Sequence, residues 1–134
     1  MSEHVDLSIP ASPEYLSLAR LHVGAIASRM DMTIDELEDL QLAVEELCLT
    51  LLEPDHSVGA RLDVAVTWAD DVVEVSCTLH GDGSQGPPGT PDPQLDSLSW
   101  RILDALVDEH GATLDEGVRA AWLRKRRERR DAGR

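Results

Sequence analysis

The sequence predicts a single α+β domain, and three observations carry that reading. Residues 5–9, 62–68 and 73–79 alternate apolar with polar or small side chains, the period of a half-buried strand. Residues 13–30 and 34–51 instead repeat apolar positions every three or four residues, the period of a helix packed on one side. The length of 134 residues, without internal repeats, suits one compact unit and is too short for two.

The first strand is Val-Asp-Leu-Ser-Ile at 5–9, stopped by Pro10. Ser12 followed by Pro13 marks a helix start, with proline at the first helical position. That helix runs to about Met30 on a stripe of Leu16, Ala19, Val23, Ile26, Ala27 and Met30, with Gly24 costing some stability. Thr33 and Glu36 have the spacing of a capping box, so a second helix starts at Ile34. Its stripe is Ile34, Leu37, Leu40, Val44, Leu47, Cys48 and Leu51, and Pro54 ends it.

The two alternating segments that follow turn at Ala69-Asp70-Asp71 and predict an antiparallel hairpin. Residues 80–94 hold four Gly and four Pro, which excludes a helix or a central strand. A loop of that length in a compact domain is either a functional lid or an unstructured connection, and composition leaves both open. A third helix is predicted over about Leu95–His110, with Leu98, Ile102, Leu103 and Leu106 inward and Gly111 as its stop. Ala112–Leu114 and Val118–Leu123 make the last strand pair.

Composition excludes several classes. No apolar run reaches the roughly 18 residues of a membrane span, and the N-terminus lacks the basic start and apolar stretch of a signal peptide, so a cytoplasmic protein is expected. Cys48 and Cys77 fall inside periodic apolar segments, where free thiols act as small hydrophobes; they present neither a disulfide framework nor a zinc pattern. Residues 124–134 hold seven basic against two acidic residues, a net of +5, while the preceding 123 hold five against 24, a net of −19. Residues 1–123 are therefore read as the domain and 124–134 as a disordered basic tail. So acidic a body repels nucleic acid and suits a basic protein surface, or serves solubility alone.

The stretch Asp39-Leu-Gln-Leu-Ala-Val-Glu-Glu-Leu-Cys48, with Thr50 one turn after Glu46, carries the richest local chemistry, since residues four apart share a helix face. Together with Ile9-Pro-Ala-Ser-Pro-Glu-Tyr-Leu-Ser-Leu-Ala-Arg20, Leu98-Ser-Trp-Arg-Ile-Leu-Asp-Ala-Leu-Val-Asp108 and the order of elements, it resembles the RsbW/SpoIIAB anti-sigma factors, serine kinases of the GHKL ATP-binding fold, over about residues 5–124. Ser97-Leu-Ser-Trp100 looks especially like the actinobacterial UsfX-type members. The resemblance implies a two-layer sandwich: a mixed, mainly antiparallel sheet of about five strands with three helices on one face.

It also implies roles. Glu46 matches the glutamate that polarises an attacking hydroxyl, although a solvated helix carboxylate explains it equally well. Thr50 stands at the asparagine that helps hold magnesium; its hydroxyl is a shorter ligand, so weaker metal affinity is expected. The adenine-binding Asp-x-Gly-x-Gly box falls on Gly81-Asp82-Gly83-Ser84, where no register satisfies it; Asp82 would reach a nucleotide only if the loop shifted, and it reads first as a turn residue flanked by glycines. Ser97 and Ser99 replace the glycines that receive phosphate on a helix N-terminus. His80 reads as a strand-end side chain, and Trp100 as packed against the sheet. The expected function is sequestration of a sigma factor, with release by an anti-anti-sigma partner. ATP with magnesium is expected to bind weakly or not at all, and no contact with nucleic acid or membrane is expected. An active serine kinase using Glu46 as base, or a nucleotide-free signalling scaffold, are the alternatives, and a homodimer is open. Glu14, Asp35 and Glu38 are the acids expected to meet the partner.

Overall fold

The computed structural model describes residues 3–52, 59–81, 97–115 and 118–128. Strand β1 (Glu3–Pro10) leads through a 3₁₀ turn (Pro13–Tyr15) into α1 (Leu16–Arg29) and then α2 (Ile34–Leu52). Strands β2 (Arg61–Ala69) and β3 (Val72–His80), helix α3 (Ser97–Leu106), and strands β4 (Glu109–Asp115) and β5 (Val118–Arg126) complete the order. The sheet runs β1-β2-β3-β5-β4. Every one of its pairings among the described residues is antiparallel, so the expected parallel component is missing. The reason is topological: β4 runs in the direction of β3 but lies two places away, and the hairpin return inserts β5 between them.

Alternation along β2 and β3 sends Leu62, Val64, Val66, Val73, Val75 and Cys77 to one face, where all are fully buried. That face meets the helices, chiefly α2, whose Leu40, Val44, Leu47, Cys48 and Leu51 are equally inaccessible. Cys48 and Cys77 touch across this interface as free thiols, Sγ to Sγ 3.7 Å. The contact with Cys48, and then burial, hold the Cys77 thiol well above its usual range, which keeps it protonated and inert.

The capping box forms as expected: the Thr33 N–H donates to Glu36 Oε1 at 2.9 Å and the Glu36 N–H to Thr33 Oγ1 at 3.1 Å. At α1 the expected cap does not form. Ser12 turns to Glu14 at 3.5 Å, and the 3₁₀ turn precedes the helix proper. Gly24 is explained by packing, since a Cβ there would lie 2.5 Å from Gln41 Nε2, whose amide donates to the Arg20 carbonyl. Ile34, expected inward, is 74% exposed because the first turn of α2 carries it clear of the packed face. Pro54 lies outside the described residues.

The third helix is shorter than its periodicity suggested. It ends at Leu106, and residues 109–111 begin β4 instead of finishing the helix. Leu98 is exposed and Leu103 is the fully buried member of its stripe. Gly111 is therefore not a helix stop. It pairs with Trp122, and a Cβ there would stand 2.8 Å from the indole Nε1, so glycine lets the ring lie flat across β4. Gly111→Ala is expected to cost about 1–2 kcal/mol through this overlap, read as a lower urea midpoint with an unchanged denaturant slope.

The basic segment also departs from expectation, because β5 continues through Arg126. Arg124 bonds Glu74 and Glu109 at 2.8 and 2.9 Å, and Lys125 Nζ caps the Leu106 carbonyl at the end of α3 at 2.7 Å. The Glu128 N–H reaches Glu36 Oε2 at 2.7 Å, joining the end of the sheet to the start of α2. Residues 129–134 lie outside the described residues. Among the described residues no helix is long and apolar enough to cross a membrane.

Candidate functional site

Helix α2 projects Glu46 and Thr50 on one face because they stand a turn apart, and α3 begins opposite them. Ser99, in the first turn of α3 and 7% exposed, donates its hydroxyl to Glu46 Oε1 at 2.5 Å. Thr50, equally buried, donates its hydroxyl back to the Glu46 carbonyl at 3.0 Å, the usual way a mid-helix threonine satisfies itself. Both the carboxylate and the carbonyl of residue 46 are thus engaged by the chain itself. The structure brings Glu46, Thr50 and Ser99 together. Asp82, Gly83 and the side chain of Ser97 lie outside the described residues.

Other residues singled out in the sequence lie apart from this cluster. His80 closes β3 and pairs with Asp63 across the hairpin at 2.9 Å, as a strand-end side chain would. Trp100 is half exposed and meets His110 edge to face, with centroids 4.5 Å apart. It thus packs on an edge strand of the sheet, and His110 in turn contacts Asp104 at 2.8 Å. Among the described residues no group of three His, Cys, Asp or Glu side chains is placed to hold a metal. Asp35 and Glu38 are both exposed on the first turns of α2. Glu14 lies at the opposite end of the antiparallel α1 and α2 pair, so the three acids do not form one patch.

Sequence reasoning passed over a groove of about 410 Å³ between α2 and α3. Leu42, Leu49, Ile102, Ala105 and Leu106 supply its apolar lining, and Glu45 and Glu46 line it as well. Leu42 and Leu49 are seven residues apart and so recur on one side of α2. The signal was present, but it lay outside the core stripe.

Comparison with known proteins agrees with this architecture. Residues 9–125 match the histidine kinase-like ATPase domain. The serine-protein kinase RsbW of Bacillus velezensis is 30% identical over 136 aligned positions, covering 91% of this chain and 85% of that protein. This chain belongs to the RsbW group of that family. The anti-sigma-F factor RsbW of Mycobacterium tuberculosis is 36% identical over 110 positions, covering 78% of this chain and 58% of that protein. A solved structure of the RsbU and RsbW domains of Rv1364c from Mycobacterium tuberculosis superposes with a TM-score of 0.71 at 17% identity. It covers 96% of this chain, which spans 33% of that one, and at this identity it speaks for the fold alone.

Proposed function

We propose that this protein is an anti-sigma factor that holds its sigma factor by protein contact, yields it to an anti-anti-sigma partner, and binds ATP weakly or not at all. Membership of the RsbW group carries the first part, and the relative named an anti-sigma-F factor supports it. The second part rests on the donor set. Magnesium takes several oxygen ligands in near-octahedral order. Here the matching carboxylate already accepts Ser99, the matching hydroxyl is turned onto its own helix, and side chains stand where bare backbone would approach a phosphate. This donor set is a poor match for a metal-bound nucleotide, which supports the nucleotide-poor reading. The serine-kinase name of the Bacillus relatives favours the rival reading, in which Glu46 takes a proton from a partner serine. Calorimetric titration with ATP and magnesium separates them: no saturable heat is expected, and a dissociation constant in the low micromolar range would overturn the nucleotide-poor reading. Thr50→Asn alone is not expected to restore affinity.

Partner capture has its own test. Residues 1–123 carry −19, and a sigma factor presents a basic DNA-binding surface, so long-range attraction hastens encounter. Its range shrinks from about 10 Å at 0.1 M salt to about 3 Å at 1 M. Stopped-flow association with the sigma factor is expected to slow steeply across that range while dissociation changes less. Glu14, Asp35 and Glu38 are the acids proposed to contribute, as separate points on the helical layer. A salt-independent association rate would assign the acids to solubility.

A further inference from the structure

We infer that Ser99 and Glu46 form an internal clamp between α3 and α2, in which the carboxylate is committed to holding the first turn of α3 and is withheld from proton transfer. This deepens the nucleotide-poor reading by assigning Glu46 the job it performs in its place. The hydroxyl that meets Glu46 comes from the chain's own Ser99, which is 7% exposed, so an incoming hydroxyl would have to displace it. A hydroxyl bonded to an ionised carboxylate is among the stronger hydrogen bonds, and burial weakens competition from water. The next turn of α2 reinforces the arrangement. Thr50 donates to the Glu46 carbonyl, which fixes the backbone from which the carboxylate projects. The clamp also bears on the groove beside it, because Glu46 lines that groove together with Leu42 and Leu49 of α2 and Ile102 of α3.

The same contact has a chemical alternative. A hydroxyl donating to a carboxylate is also what a general base needs before it takes a proton. In that case Ser99 would accept the γ-phosphoryl group of ATP at Oγ, its proton would pass to Glu46, and ADP would leave. Glu46→Gln separates the two, because an amide oxygen still accepts the Ser99 hydrogen bond but cannot take its proton.

The test uses the full chain and reads hydrogen exchange of the amides in residues 97–106 by mass spectrometry. Ser99→Ala and Glu46→Ala are each expected to speed exchange there roughly tenfold, and the double variant no more than either alone. Glu46→Gln is expected to stay near the wild type. Unchanged exchange in Ser99→Ala, or effects that add in the double variant, would overturn the clamp. Should Ser99→Ala fail to fold, Ser99→Cys, a weak donor of similar shape, takes its place. In parallel, wild type incubated with ATP and magnesium is mapped for phosphate. An unmodified Ser99 is expected, whereas phosphate on Ser99 that disappears in Glu46→Gln would make the carboxylate a working base and overturn the clamp. Sigma-factor capture is scored on the same variants, so that failure of the clamp and failure of the anti-sigma reading are told apart.

Discussion

Leu47→Ala is expected to lower the unfolding free energy by about 2–5 kcal/mol. Leu47 is fully buried on the face of α2 that meets the sheet, in the same core as Leu40, Val44 and Leu51 of its own helix and Val64, Val66, Val73 and Val75 of β2 and β3. Removing its branched end takes away apolar contact and leaves a void that a helix seated on a sheet closes only in part. Urea unfolding reads the loss as a lower midpoint at constant slope. Glu45→Ala, two residues earlier, serves as the control. Its carboxylate is a third exposed and stands 3.7 Å from Arg20, a pair in high dielectric, so the change should lie within roughly 0.5 kcal/mol of neutral. The reverse order of effects would mean that the phase assigned to α2 is wrong.

Glu36→Ala is expected to cost about 2–3 kcal/mol, more than an ordinary cap, because one side chain closes two junctions. Its carboxylate accepts the Thr33 N–H at the start of α2 and the Glu128 N–H beyond β5, and it is 7% exposed. Burial by itself would raise this carboxyl. The Thr33 and Glu128 N–H groups, the Thr33 hydroxyl and the charge of Lys125 together outweigh it and hold the carboxyl below its usual value. A carboxyl lowered by folding contributes stability that is fully present above its unfolded value, about 4.3, and is lost as pH falls through the folded one. The stability gap between wild type and Glu36→Ala should therefore be constant from pH 8 to about pH 6 and narrow below about pH 4.5. A gap that widened on acidification would remove the carboxylate from the explanation.

How far each element could be read from the sequence depended on whether its signal was local. The Thr33 and Glu36 capping box and the alternation in β2 and β3 follow from neighbours a few residues apart, and they appear as expected. The third helix ends earlier than its local pattern predicts, because His110 and Gly111 read locally as a helix end. What makes them a strand is pairing with Leu123 and Trp122, which no window around residue 110 contains. The basic segment misled for the same reason. Its charge pattern suggests a solvated tail, while Arg124, Lys125 and the Glu128 amide find Glu74, the Leu106 carbonyl and Glu36 only once the sheet is assembled.

The candidate site divides along the same line. Sequence alone determined that Glu46 and Thr50 share a face of α2, because helical geometry requires it of residues four apart, and that serines stand at the head of α3. Tertiary structure decided what these groups do to one another. The meeting of Ser99 with Glu46 joins residues 53 positions apart and depends on where the sheet sets α3 against α2. A hydrogen bond is made or missed over a fraction of an ångström, and that distance is set by the packing of the whole core.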